Sequence, residues 1–283
     1  MRLSEQGAPR SGLASEARPS TTVNWLTSIV SFIDKTLVIA ELEARKLRHD
    51  PTELITRAVQ PALWLLVFGE VFTRMRAIPT GNMSYIDFMS PGILAQSVLF
   101  IAIFYGIAII WERDLGIVHK FLASPTPRAA LVLGKALSAG VRGLSQTVLI
   151  YILAVLLGVD LRDSPLAILG VIFTVFLGAA CFATFSLIIA CLVKTRERFM
   201  GIGQVLTMPL FFASNAIYPI SLMPVWLKVI SRANPLTYEV DALRSLMLAG
   251  GTSSFGLAAD FGILLAIAAL LITIGARLYP KVV

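Results

Sequence analysis

Apolar residues dominate this chain in six long runs separated by short polar stretches, a pattern that predicts a bundle of membrane-crossing helices. The runs cover residues 58–73, 92–111, 137–158, 165–193, 200–220 and 255–278. A helix rising 1.5 Å per residue needs about 20 residues to cross about 30 Å of hydrocarbon. Most of the runs reach that length; the first is short and needs snorkelling flanks or a locally thinned bilayer. Ahead of them, residues 24–50 follow another rhythm. Leu26, Ile29, Ile33, Leu37, Ala40, Ala44 and Leu47 recur at steps of three and four, with Lys35, Glu41, Glu43, Arg45, Lys46 and Arg48 between them. This is the pattern of an amphipathic helix lying in the membrane surface, the reading favoured by its position just before the first span; a helix packed on another protein domain is the alternative.

Two polar or broken stretches stand out. "WERDLGIVHKFLASPTPR", residues 111–128, lies between the second and third runs. As one helix it places Trp111, Leu115, Val118 and Leu122 on a single face, surrounded by Glu112, Arg113, Asp114, His119 and Lys120, and its prolines end it. A short amphipathic helix projecting from a membrane bundle fits a groove on a soluble partner; an ordinary basic loop between spans shares the pattern. The second stretch, residues 211–251, holds apolar pieces at 223–230 and 236–248 that are too short to cross. Pro219, Pro224 and Pro235 divide it into short helices. A re-entrant hairpin and a pair of helices resting on the leaflet both fit.

Composition agrees with a membrane protein. Hydrophobic residues make up 57% and charged residues 14% of 283, with mean hydropathy +0.80, against about 25% charged in a soluble domain. The net charge is +7, but the basic residues are scattered at the ends of apolar runs and form no stripe, so no nucleic-acid partner is expected. They report orientation instead. With the amino terminus inside, Lys and Arg concentrate in the segments before span one, between spans two and three, between spans four and five, and after span six, which places both termini in the cytoplasm. Residues 1–23, rich in Ser, Ala, Pro and Arg, read as a disordered cytoplasmic tail; 24–50 form the interfacial helix and 51–283 the six-span domain. Cys181 and Cys191 lie in one apolar run and point in different directions, His49 and His119 are far apart, and no metal site is expected. The only Gly-Lys pair, Gly134-Lys135, is followed by Ala136 where a phosphate loop needs Ser or Thr.

Candidate substrate contacts are Phe100, Phe104 and Tyr105 in the second run and Phe211, Phe212, Asn215 and Tyr218 in the fifth, presenting aromatic surface to an amphiphile; lipid-facing or packing aromatics read the same way. Lys135 and Arg142, seven residues apart on one helical face, suit an anionic lipid headgroup or simple snorkelling. Glu70 and Asp260 are the ionisable groups an ion-coupled carrier would use, but both fall near span ends.

The wording "WERDLGIVHKFLASPTPRAALVLGKAL", followed about a hundred residues later by "NAIYPISLMPVWLKVISRANPLTYEVDALR", resembles the ATP-binding-cassette type-two (ABC-2) exporter permeases, the family of daunorubicin-resistance-type permeases and polysaccharide exporters. Pro235-Leu236-x-Tyr238 followed by Arg244 fits the ending of the family signature. The resemblance implies an all-α integral membrane protein of the type V exporter fold, with six spans, an amino-terminal interfacial helix, a cytoplasmic coupling helix and short external helices. Glu112, Arg113, Asp114, Leu115, Gly116, Val118 and Leu122 would belong to the coupling helix. Pro219, Pro224, Asn234, Pro235, Tyr238 and Arg244 would belong to the external pair. It also implies two permease subunits in a bacterial cell membrane, on two separate ATPase subunits that hold ATP and Mg. The expected substrate is a hydrophobic or amphiphilic drug or lipid, moved outward; a polysaccharide or glycolipid is the alternative.

Overall fold

A computed structural model describes residues 33–34, 36–38, 41, 45, 56, 59–75, 78–81, 83–123 and 126–282. The tail expected over 1–23 and most of the surface helix over 24–50 lie outside the described residues. The members of 24–50 that are described are helical, with Ile33 and Leu37 exposed and Arg45 paired with Glu41 at 2.7 Å.

Among the described residues the fold is helical throughout, apart from one isolated bridge between Leu161 and Leu248. A π-helical turn, Trp64–Gly69, runs into α1, Glu70–Met75. There follow α2 (Tyr85–Asp114), α3 (Ile117–Ala123), α4 (Arg128–Leu156), α5 (Pro165–Leu192), α6 (Arg196–Phe212), α7 (Val225–Ala233), α8 (Pro235–Met247) and α9 (Leu257–Leu278). Four of these, α2, α4, α5 and α9, are long and apolar enough to cross a membrane.

Local chemistry explains where these helices begin and end. Ser84 and Asp87 form a reciprocal capping box, Ser84 Oγ accepting from the Asp87 amide at 3.1 Å and Asp87 Oδ2 accepting from the Ser84 amide at 3.2 Å. Two otherwise orphaned amides are thereby satisfied, and α2 starts at Tyr85, seven residues before the apolar run. Further along the chain α5 opens with Pro165, whose missing N–H costs nothing at a first helical position. The fifth run does not stay helical to residue 220. Helix α6 stops at Phe212, and residues 213–219 form a turn in which Ser214 Oγ bonds the Phe211 carbonyl at 2.7 Å. At 17 residues α6 is about 25 Å long.

Helix α5 is the hub. Its neighbours α2, α4, α8 and α9 close around Gly178, Ala179, Ala180 and Ala183, small residues that let backbones approach where apolar burial alone gives no preference over lipid. The main core joins Ile93, Val98 and Leu99 of α2, Val175 and Phe182 of α5 and Leu236, Val240 and Leu243 of α8. A second core at the opposite end joins Ile109, Ile110, Val118, Leu131, Leu187, Phe199 and Tyr279. By contrast α6 buries only Phe199, Gly203, Thr207 and Phe211, and α9 only Asp260, Leu264, Ala268 and Gly275. Each presents one narrow stripe to the protein and apolar surface elsewhere, the distribution of a helix at the rim of a membrane bundle.

Candidate functional site

Two constructions, one at each end of α2, carry the residues singled out in the sequence. At the α3 end the chain from Trp111 to Leu122 is not one helix. Helix α2 closes with the Leu115 amide on the Trp111 carbonyl at 3.0 Å and the Gly116 amide on the Arg113 carbonyl at 2.9 Å. Gly116 then takes φ +70°, a left-handed conformation that side chains disfavour, and α3 leaves in a new direction. The expected single face is therefore split. Val118 is fully buried in the second core, Leu122 is half-buried against it, and Leu115 stands 68% exposed with His119 and Lys120.

Glu112 also turns inward. Its carboxylate accepts from Lys135 Nζ of α4 at 2.6 Å, both side chains less than a tenth exposed, and the ammonium lies 5.8 Å from the centre of the Phe121 ring. This pair ties the end of α2 to the start of α4 and to α3. A second lattice fastens α6: Asp114 accepts from Arg196 at 2.6 Å and from Arg113 at 3.0 Å, Arg113 reaches the Lys194 carbonyl at 2.7 Å, and the Arg196 guanidinium stacks 3.5 Å from the centre of the Trp111 ring. Movement applied to α3 thus reaches α2, α4 and α6 through named contacts.

The expected headgroup site at Lys135 and Arg142 is not formed. Lys135 is 3% exposed with its charge balanced by Glu112, while Arg142 stacks 5.3 Å from the Tyr105 ring. Burial and pairing remove from Lys135 the open approach that an anionic lipid would need.

At the α8 end the two short helices differ. Helix α7 leaves Val225, Trp226, Val229 and Ile230 exposed, whereas α8 is inserted among α2, α5 and α9 and buries eleven of its thirteen residues. Helix α8 is thus packed inside the bundle, while α7 lies at its surface. Pro219 precedes a short 3-10 turn over Ile220–Leu222, and the Pro224 carbonyl starts α7 by accepting from Leu227 and Lys228, both at 3.0 Å. Asn234 caps α8 through Oδ1 to the Leu236 amide at 3.0 Å, and its Nδ2 donates to the Leu210 carbonyl of α6 at 2.6 Å; Pro235 occupies the first helical position. Asn234→Ala should cost about 1 kcal/mol for the cap and loosen α6 as well, an effect visible as faster amide exchange in residues 206–214.

Tyr238 donates to the Arg232 carbonyl at 2.6 Å, and burial raises its phenol above the ordinary value, which keeps that proton in place. Arg244 donates to the carbonyls of Phe88 at 3.3 Å and Asn215 at 2.8 Å while lying 3.9 Å from the Phe88 ring centre. Asp241 Oδ2 receives Ser253 Oγ and the amides of Ser254 and Phe255, at 2.6–3.1 Å, and so fixes the turn into α9. Missed by the sequence reading is Glu239, fully buried against Gly178 with neither carboxylate oxygen hydrogen-bonded among the described residues. Its acidic character was legible, but α8 read as an external element hid its burial.

The aromatic candidates separate. Phe100 and Phe104 line a cavity of about 460 Å³ beside α4, whereas Phe212 and Tyr218 line a groove of about 570 Å³ between α6 and α7. Tyr105 is buried and bonded to Ser138 at 2.8 Å, Phe211 is buried edge-on to Trp64, and Asn215 serves Arg244. Spans two and five therefore do not build one continuous aromatic surface within the chain.

Comparisons with known proteins agree with this architecture. A family described as ABC-2 type transporter matches residues 35–248. A putative transport permease, ycf38, of Cyanophora paradoxa is 31% identical over 217 residues, 76% of this chain and 74% of the relative. The daunorubicin resistance ABC transporter permease protein DrrB1 of Streptomyces coeruleorubidus is 26% identical over 82% of this chain and 79% of its own length. Nodulation protein J of Rhizobium leguminosarum bv. trifolii is 25% identical over 69% and 74%. With the match spanning both the α3 bend and the inserted α8, the chain belongs to the ABC-2 type transporter family.

Proposed function

We propose that this chain is the transmembrane subunit of an ATP-driven exporter, that it pairs with a second permease copy, and that two separate ATPase subunits supply ATP and Mg. It carries a hydrophobic or amphiphilic substrate, a drug or lipid, out of a bacterial cell. Six crossings would comprise α2, α4, α5 and α9 together with the shorter α6 and the helix ending at Met75, with both termini in the cytoplasm. The observation that carries this reading is the α3 bend. It offers Leu115, His119 and Lys120 outward while Val118 and the Glu112–Lys135 pair anchor it inward. An apolar residue flanked by polar ones on a rigid projection suits a groove on a soluble subunit.

The exposed apolar faces of α6 and α7 favour a second copy at that side. A rival reading, ion-coupled transport, draws support from buried Glu239 and from Asp260, buried with Oδ2 on Ser253 and Oδ1 unmet among the described residues, whereas Glu70 is engaged with Arg74 at 2.8 Å. Leu115→Asp and Lys120→Glu are expected to lower copurification with the ATPase at least tenfold and to stop export, with membrane insertion unchanged. Full association and export by both variants would refute the docking assignment; export that survives an inactive ATPase but stops when the proton gradient collapses would favour the rival.

A further inference from the structure

We infer that the cavity between the residues just before the π-helical turn (Gln60 and Pro61), α2 and α4 is a binding site for the uncharged polar group of an amphiphile, with Gln96 as its recognition residue. The inference rests on the exporter reading only for the purpose of the site; binding itself needs neither nucleotide nor partner.

The cavity holds about 460 Å³ and is lined by Gln60, Gln96, Ser97, Phe100, Phe104 and Gln146 among others. Among the described residues none of the lining side chains is charged. Its depth sets it apart from the two ends already described. Gln96 lies eleven residues beyond Tyr85 in α2, and Gln146 ten residues before Leu156 in the antiparallel α4. At 1.5 Å per residue both stand about 15–17 Å from the α8 end, close to the middle of a hydrocarbon layer about 30 Å thick. A buried polar group at that depth has no bulk water to serve it.

Gln96 is 2% exposed, and neither its Nε2 nor its Oε1 has a hydrogen-bond partner among the described residues. Ser97 is different, its hydroxyl being spent on the Ile93 carbonyl at 2.8 Å. A primary amide offers donors and an acceptor side by side, and leaving both unmet in an apolar setting is destabilising. Nothing in the packing of α2 demands the residue, because leucine fills the same volume. A guest with an amide or hydroxyl satisfies both functions of Gln96 at once. The Phe100 and Phe104 rings, 6.2 Å apart and tilted by 31°, lie one turn and two turns further along α2 on the same wall and would cover its apolar body. Among the described lining residues an ammonium or carboxylate guest finds no counter-charge, so their chemistry selects neutral amphiphiles.

The test uses the full chain in lipid nanodiscs and a diazirine-bearing N-decylacetamide as photoprobe, with labelled peptides mapped by mass spectrometry. Saturable labelling is expected within residues 96–104, displaced by N-decylacetamide and not by decyltrimethylammonium. Gln96→Leu should weaken probe binding about tenfold and raise the melting temperature. Phe100→Ala, at a half-buried position, gives a second reading of the same wall without depending on Gln96 replacement, and should weaken binding by several-fold. Labelling that does not saturate, that the cation displaces equally, or that is unchanged in both variants would overturn the assignment. None of those results would bear on ATPase docking at α3.

Discussion

Glu112→Leu is expected to destabilise the protein by about 3–5 kcal/mol, the range for removing one partner of a buried ion pair. The reason is specific: Lys135 is 3% exposed, its ammonium meets the Glu112 carboxylate at 2.6 Å, and it lies 5.8 Å from the centre of the Phe121 ring. Without Glu112 the charge is either buried uncompensated or must pull α4 away from α3. Adding Lys135→Met should recover most of the loss, since a methionine of similar volume carries no charge and packs against Phe121. Thermal melts of the single and double variants in detergent check the order. The double variant should nevertheless export poorly, because α3 would keep its fold and lose the rigid tie to α4. A single variant as stable as the parent would show that the pair does not anchor the bend.

The second large effect is expected at Arg244. Replacement by methionine removes the donor to the buried Asn215 carbonyl, the bond to Phe88 and the stack on its ring. Charged hydrogen bonds and unmet buried acceptors of this kind are each worth about 1–3 kcal/mol, so the total loss should be about 3 kcal/mol. Arg244→Lys should rescue less than half of it, because an ammonium has donors enough for two carbonyls but no planar group to stack on the Phe88 ring while it makes them. Amide exchange in residues 213–219 should rise in both variants, as that turn depends on the arginine to hold it against α2. If lysine restored full stability, charge alone would account for the position and the clamp would be dismissed.

Much of this architecture is legible in the sequence. The limits of α5 and α9 fall within two residues of the apolar runs at 165–193 and 255–278, because Pro165 and the polar turn before Leu257 punctuate runs that are helical to their ends. The two short pieces of residues 223–248 also emerge as helices, divided at Asn234-Pro235 as cap and first position require. Helix α2 is longer than its run, since hydropathy ignores a capping box even though Ser84-x-x-Asp87 spells one. Helix α6 is shorter than its run because apolar residues 216–220 continue past a turn that the backbone has already taken.

The bend at Gly116 was harder to see. A periodic face through Trp111, Leu115, Val118 and Leu122 invites one helix, and only the left-handed glycine after Leu115 breaks it. Pairing of Glu112 with Lys135 joins residues on different helices, which no local pattern encodes. For the same reason the aromatic residues of spans two and five looked like one surface in the sequence and line separate cavities in the fold. Gln96 escaped notice altogether, since one amide in an apolar run says nothing about its burial or its partners until the neighbouring helices are placed.

In the proposed exporter the α3 bend receives the motion of an ATP-hydrolysing subunit. A photoreactive amino acid placed at position 115 in the full chain, expressed with its ATPase, measures this most directly. A crosslink is expected from 115 to the nucleotide-binding polypeptide, stronger than from position 229 on exposed α7 and altered in pattern by ATP. A crosslink to that polypeptide from 229 and none from 115 would contradict it.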